Sequence, residues 1–137
     1  METLLEFVGE NKFKGMAPIG ASVDISGADS SSDSSISFRP MELLLIALGS
    51  CTAVTVVTIL GKMRVPFKKY TVKIKGDRAD QPPKVFTDIF LNHSFSGSGL
   101  STDKLKRALS LAESYCSAFN MLAKTVKIQN SIQILEE

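Results

Sequence analysis

The fold of this chain is decided by residues 43–61, LLLIALGSCTAVTVVTILG, a run of 19 residues that carries no charge. Length and composition would also allow such a run to cross a membrane. Ser, Cys and Thr residues interrupt it, however, and the flanking segments alternate like the strands of a soluble domain, which need an apolar partner. We therefore predict a buried central helix that is apolar on all sides, and such a helix belongs in a large core or an oligomer interface. A core formed by one chain of this size is too narrow to cover it, so the run also indicates a dimer.

The composition excludes several classes of function. A chain of 137 residues is long enough for one domain with a genuine core, and its net charge of +2 gives no sign of nucleic-acid binding. Its only histidine, His93, argues against a histidine-rich metal site or a histidine triad, and we expect it on the exposed face of a strand. Two cysteines are too few for a disulfide scaffold, which indicates a reducing, cytoplasmic location. The N-terminus has no basic stretch before an apolar run, so it does not resemble a signal peptide.

Hydrophobic periodicity predicts strands, a long helix, strands, two helices and a final strand, which is an α+β arrangement. The predicted strands are residues 3–8, 21–25, 69–75, 85–95 and 126–135, and a turn occupies residues 15–20. The predicted helices are residues 40–64, a segment that begins at Ser101 or Thr102, and residues 117–124. We expect a single domain over residues 1–137, in which strands and a flexible serine-rich loop in residues 1–38 precede a core of residues 39–137.

The two cysteines, Cys51 and Cys116, both lie in segments with helical patterns. Cys116 continues an apolar stripe with Leu105, Leu109 and Ala112, so we expect its side chain to face the core. A thiol in an apolar helix is either inert packing or a reactive centre shielded from water. Free cysteine is among the most buried residue types, so the pattern alone leaves both alternatives open.

Several short motifs, taken in order, resemble the OsmC/Ohr superfamily of thiol proteins, and in particular an OsmC-like branch of it. The motif around the first cysteine is residues 39–53, RPMELLLIALGSCTA, and KMR at residues 62–64 matches the end of its helix. The following hairpin and the segment of the second cysteine are matched by GDRA at 76–79, PKVFT at 83–87, YCS at 115–117 and MLAKT at 121–125. The resemblance covers roughly residues 39–135.

The resemblance implies an α+β, OsmC-like fold in which antiparallel sheets wrap around two long central helices in an intertwined homodimer. It also implies a cysteine-based peroxidase that reduces organic hydroperoxides in oxidative or osmotic stress defence. Cys51 matches the peroxidatic position and Cys116 the resolving one, and a dithiol reductant would regenerate both. The implied partners are a small-molecule peroxide and the reductant, with no nucleic acid, no membrane, no metal and no bound cofactor.

The family's peroxidases activate the thiolate with an Arg from an N-terminal hairpin, held by a Glu ahead of the first helix. Here the hairpin offers Lys12 and Lys14, and Met41 stands where that Glu is expected. Glu42 lies nine residues before Cys51, and Arg39 is a possible substitute cation. The predicted catalytic residues are therefore Cys51, Cys116, Glu42 and Arg39.

Alternatives to these roles remain open. Glu42 can be an ordinary first-turn acid and Arg39 an ordinary surface charge. The whole protein can also be a non-catalytic OsmC-like module that binds a small apolar ligand, with structural cysteines.

Overall fold

The computed structural model describes residues 1–27 and 36–136, and the chain divides into two compact units, Met1–Leu44 and Leu45–Glu137. The serine-rich part of the predicted flexible loop, residues 28–35, lies outside the described residues. The prediction of a single domain with a core from residue 39 stays a prediction.

The first unit is built on a three-stranded antiparallel sheet, here called the N-terminal sheet. Its strands are β1 (Leu4–Gly9), β2 (Lys12–Met16) and β3 (Ser22–Ser26), in the order β1-β2-β3. Glu10 and Asn11 connect the first two strands with φ values of 52° and 59°, as a tight hairpin turn requires. The sequence analysis missed β2, because the strand is short and its Gly15 was assigned to a turn. The strand register places β2 in the middle of the sheet, since its Phe13 pairs with both Phe7 of β1 and Ile25 of β3.

Helix α1 spans Pro40–Lys62, close to the predicted residues 40–64. Pro40 occupies its first position, where the missing N–H costs nothing, and Arg64 with φ of 58° follows its end. Its buried residues are Leu48, Gly49, Thr52, Val56 and Leu60. By length and composition α1 could cross a membrane, and 28% of its most apolar stretch is buried within the chain. One chain therefore does not cover this helix, as the sequence predicts.

The second unit contains a sheet of three strands in the order β4-β5-β6, here called the C-terminal sheet. These are β4 (Lys69–Arg78), β5 (Phe86–Ser96) and β6 (Lys127–Ile134). β4 and β5 form an antiparallel pair, but β6 runs parallel to β5. The expectation of purely antiparallel sheets is therefore wrong here, because the helical connection between β5 and β6 returns the chain to the same end of the sheet.

That connection consists of α2 (Thr102–Tyr115) and α3 (Ser117–Leu122). Ser101 caps α2, its hydroxyl accepting from the backbone N–H of Lys104 at 3.4 Å, as predicted. The described core of this unit joins residues of α1, β5 and α2 with Val65: Val56, Leu60, Val65, Phe95, Leu105, Ala108, Leu109 and Ala112.

Candidate active site

Cys51 lies in the middle of α1, next to the buried stripe but not in it. Thr52, which follows it, is fully buried, whereas the side chain of Cys51 is only partly buried. Successive residues of a helix are rotated by about 100° from each other. Cys51 is therefore turned by that angle from the buried side chain of Thr52 and lies at the edge of the buried face of α1. This position gives the Cys51 sulfur access to both the protein interior and the surroundings.

Cys116 lies at the junction of α2 and α3, and its sulfur caps the second of these helices. The prediction that its side chain faces the core is confirmed, since it is 0% exposed. Its backbone is extended, with φ of −74° and ψ of 118°, so it separates two helices and is not inside one. Its Sγ accepts a hydrogen bond from the backbone N–H of Phe119 at 3.3 Å and lies 3.4 Å from Oγ1 of Thr52.

The fold places the two thiols near enough to interact, and their pKa values shift in opposite directions. Hydrogen bonds from the backbone N–H of Ala118, from the Cys116 thiol and from the backbone N–H of Ser117 lower the pKa of Cys51, although burial opposes them. Burial raises the pKa of Cys116, and its contact with Cys51 raises it further, against the hydrogen bonds of Thr52 and Phe119. Cys51 is therefore the thiol that ionises first, and Cys116 is the thiol that donates a hydrogen bond to it.

Glu42 and Arg39 contact each other at the start of α1. The backbone N–H of Arg39 donates to Oε1 of Glu42 at 2.9 Å. This is the contact of an acidic residue that satisfies a free N–H at a helix N-terminus. The predicted catalytic roles of both residues stay predictions.

The sequence analysis missed the groups that stabilise the Cys51 thiolate. They are backbone N–H groups at the beginning of α3, and a backbone amide leaves no signature in residue identity. Thr52 could have been found, because it follows Cys51 directly and its hydroxyl needs a partner in an otherwise apolar run.

The expectation that His93 is exposed is wrong, because His93 is 0% exposed. Alternate residues of a strand share a face, so His93 lies on the same side of β5 as the buried Ile89 and Leu91. Its Nδ1 is 2.7 Å from the hydroxyl of Tyr70, and its Nε2 is 2.8 Å from Oδ1 of Asn130. Burial lowers the pKa of His93, so the ring is neutral near pH 7.

A groove of about 540 Å³ opens on the N-terminal sheet, with a lining that includes the apolar side chains of Leu4, Leu5, Met16, Val23 and Ile25. Neither cysteine lines it. The alternative of a module that binds a small apolar ligand, with structural cysteines, stays a prediction.

The family model described as OsmC-like protein matches residues 14–131. The chain belongs to the OsmC-like protein family, and the resemblance inferred from the sequence motifs is confirmed. The α+β architecture with two sheets and helices is the fold of this family.

Three known proteins illustrate the similarity. Protein YhfA of Escherichia coli K12 is 39% identical over 97 residues, which cover 70% of this chain and 72% of YhfA. The crystal structure of a hypothetical protein from Aquifex aeolicus VF5 is 29% identical, covers 99% of this chain and 96% of its own, and superposes with a TM-score of 0.86. An organic hydroperoxide resistance protein OsmC from Legionella pneumophila has a TM-score of 0.73 at 13% identity, with 97% of each chain covered. At that identity the likeness concerns the fold alone.

Proposed function

We propose that this protein is a cysteine-dependent peroxidase that reduces organic hydroperoxides in a reducing, cytoplasmic compartment. The observation that carries the proposal is the contact between Cys51, whose thiol pKa is lowered, and Cys116, whose thiol pKa is raised. An attacking thiolate beside a neutral resolving thiol is the arrangement that a two-cysteine peroxidase needs.

The reaction begins at Cys51. Its thiolate attacks one oxygen of the hydroperoxide, the O–O bond breaks, and the alkoxide leaves and takes up a proton to become the alcohol. Cys51 is then a sulfenic acid. The Cys116 thiol condenses with it, forming the Cys51–Cys116 disulfide and releasing water. A dithiol reductant returns both cysteines to thiols and is itself oxidised to a disulfide.

In this scheme backbone N–H groups, and not a cation, stabilise the Cys51 thiolate. The N–H groups of Ala118 and Ser117 point to the Cys51 sulfur and favour its charged form. The absence of an Arg at the hairpin positions Lys12 and Lys14 is therefore compatible with a reactive Cys51.

The name of a relative supports the substrate class. The Legionella pneumophila protein with this fold is named an organic hydroperoxide resistance protein. We propose the same substrate class here because the reacting thiol lies on an apolar helix.

We further propose an intertwined homodimer in which the α1 helices of two chains lie together at the centre. The support is the outer face of α1, where Val54 is 67% and Val57 42% exposed in a single chain. An exposed row of apolar side chains on a helix is stabilised when another apolar surface covers it. The α1 helix of a second copy presents the same apolar row.

The proposed activity is tested by following the consumption of cumene hydroperoxide with dithiothreitol as the reductant. The wild-type protein is expected to turn over repeatedly, and Cys51→Ser to lose all protein-dependent turnover. Ser50→Ala is the matched control, because the Ser50 hydroxyl donates a hydrogen bond to the carbonyl of Ala47 within α1 itself. The proposal fails if the wild type shows no turnover with any dithiol, or if Cys51→Ser retains it.

A further inference from the structure

Four polar side chains form a hydrogen-bond network that crosses the C-terminal sheet and reaches α2. Tyr70 is on β4, His93 on β5, Asn130 on β6 and Glu113 on α2. The Tyr70 hydroxyl is 2.7 Å from Nδ1 of His93, Nε2 of His93 is 2.8 Å from Oδ1 of Asn130, and Nδ2 of Asn130 is 2.8 Å from Oε1 of Glu113. The proposed reaction uses none of these four residues.

Every hydrogen bond of this network is donated in the same direction, from Tyr70 towards Glu113. A carboxylate only accepts, so the amide N–H₂ of Asn130 faces Glu113 and its oxygen faces His93. Nε2 of His93 therefore carries the proton, and Nδ1 accepts from Tyr70. Burial raises the pKa of Tyr70, which keeps its hydroxyl a donor. Glu113 is thus the last acceptor of the network, and its hydrogen bond from Asn130 connects α2 to the sheet.

Glu113 is close to Cys116 in the sequence and is fixed from a second side. Nδ2 of Asn120 donates at 2.8 Å to the backbone carbonyl of Glu113 and at 2.8 Å to that of Cys116. Asn120 thereby closes the turn between the two helices, and Asn130 anchors that turn to the sheet through the Glu113 side chain.

On the α3 side of Cys116 this turn has little apolar packing to hold it. α3 has no buried residue, and Cys116 itself has an extended backbone between the two helices. Hydrogen bonds from side chains therefore carry much of the positioning of the Cys116 sulfur beside Cys51.

We infer that Glu113 and Asn130 are positioning residues, which hold Cys116 against Cys51 for the thiol–disulfide step. The inference rests on the proposed function, in which Cys116 resolves the oxidised Cys51. A misplacement of about 1 Å can cost about a hundredfold in rate, so loosening this turn slows the step made by Cys116. The attack by Cys51 slows less, because the turn affects that step only through the hydrogen bonds that lower the pKa of Cys51.

The test separates the two steps without any peroxide. Stopped-flow mixing with the aromatic disulfide dithiobis-nitrobenzoate first lets the Cys51 thiolate form a mixed disulfide, which releases one coloured nitrothiobenzoate. Cys116, which is 0% exposed and so shielded from the reagent, then loses its proton and attacks the Cys51 sulfur. That attack forms the Cys51–Cys116 disulfide and releases a second nitrothiobenzoate. The first phase depends on the concentration of the reagent, and the second does not.

Glu113→Ala is expected to slow the second phase about tenfold and to slow the first phase much less. Glu113→Gln keeps an oxygen that accepts from Asn130 and is expected to restore the second phase to within about twofold of the wild type. Ser114→Ala is the matched control on α2, because the Ser114 hydroxyl donates a hydrogen bond to the carbonyl of Ser110 within the same helix. Asn130→Ala removes the other partner of the same hydrogen bond, on β6, and is expected to behave like Glu113→Ala.

The inference is overturned if Glu113→Ala and Asn130→Ala leave the second phase at the wild-type rate, or if both phases slow in the same proportion. It is also overturned if Glu113→Gln slows the second phase as much as Glu113→Ala does. A protein that shows the expected two phases but consumes no hydroperoxide would support the positioning role and contradict the peroxidase proposal, so the two failures are distinguishable. Glu113 is only partly buried, and its substitution is therefore compatible with a folded protein.

Discussion

The thiols of Cys51 and Cys116 interact with each other, and that single interaction shifts their two pKa values in opposite directions. It lowers the pKa of Cys51, which receives the hydrogen bond, and raises the pKa of Cys116, which donates it. The asymmetry has a source outside the pair, since Ala118 and Ser117 direct backbone N–H groups at Cys51 while Cys116 is fully buried. The reacting and the resolving thiol are thus distinguished by their surroundings.

The first prediction concerns the reactivity of Cys51 as a function of pH. The rate of alkylation by iodoacetamide follows the thiolate, so it should rise to a plateau with a midpoint below 9.0, the ordinary value for the thiol. Cys116→Ala removes one of the stabilising hydrogen bonds and should move the midpoint upwards, although the backbone N–H groups remain. Ser50→Ala should not move it. A wild-type midpoint at or above 9.0 would contradict this account of the site.

His93 makes the stability of the protein depend on pH. Burial lowers its pKa below the ordinary 6.5, so the unfolded chain takes up a proton at a higher pH than the folded protein does. The stability that the neutral ring contributes is therefore fully present above pH 6.5 and is lost as the pH falls towards the pKa of the folded protein. Urea denaturation between pH 8 and pH 5 should show a free energy of unfolding that declines below about pH 6.5.

His93→Leu provides the comparison for that measurement. It removes the hydrogen bonds that His93 makes to the Tyr70 hydroxyl and to Oδ1 of Asn130, and it should cost about 1–3 kcal/mol at pH 8. Its loss of stability below about pH 6.5 should be shallower than that of the wild type, since the titrating group is gone. Identical slopes would show that His93 contributes nothing to the pH dependence.

Two glycines of α1 should respond differently to alanine. A Cβ at Gly61 meets nothing within 4 Å, so Gly61→Ala should stabilise the protein by about 0.5–1 kcal/mol through helix propensity. A Cβ at Gly49 would overlap Cδ1 of Ile74 on β4, so that side chain must move. Gly49→Ala should therefore be less stable than Gly61→Ala in thermal denaturation. Equal gains at both sites would show that α1 does not approach β4 this closely.

The proposed dimer predicts a strong effect from a charge on the outer face of α1. Val54→Glu should convert a species with twice the mass of the chain into one with the mass of a single chain, measured by light scattering during gel filtration. Val85→Glu is the control, because Val85 is also exposed, at 53%, but lies outside α1. A wild-type protein that is monomeric at all concentrations would rule out the dimer.

Much of the fold could be predicted because it follows from residue patterns. The uncharged run around Cys51 defines α1, Ser101 marks the start of α2, and the alternation from Lys69 onwards defines β4. β2 was missed because five residues containing a glycine give a weak alternation. The parallel pairing of β6 was missed because a strand's own sequence does not reveal the direction of its neighbour.

The candidate site could be predicted only in part, for a physical reason. Cysteines can be counted and placed in a sequence, and Cys51 and Cys116 were both found. The stabilising groups at Cys51 are backbone amides, which every residue carries, and their direction depends on how α3 packs. His93 was misplaced, although its spacing from Ile89 and Leu91 puts all three on one face of β5.

The most direct test of the central claim is the intact mass of the protein, measured under denaturing alkylation before and after one equivalent of cumene hydroperoxide. The account predicts that both thiols become resistant to alkylation after the peroxide. The protein then carries no alkyl group, and its mass lies about 2 Da below that of the unalkylated reduced chain, as an intramolecular Cys51–Cys116 disulfide requires. Two thiols that remain fully alkylated after the peroxide would contradict it, and both cysteines would then be structural.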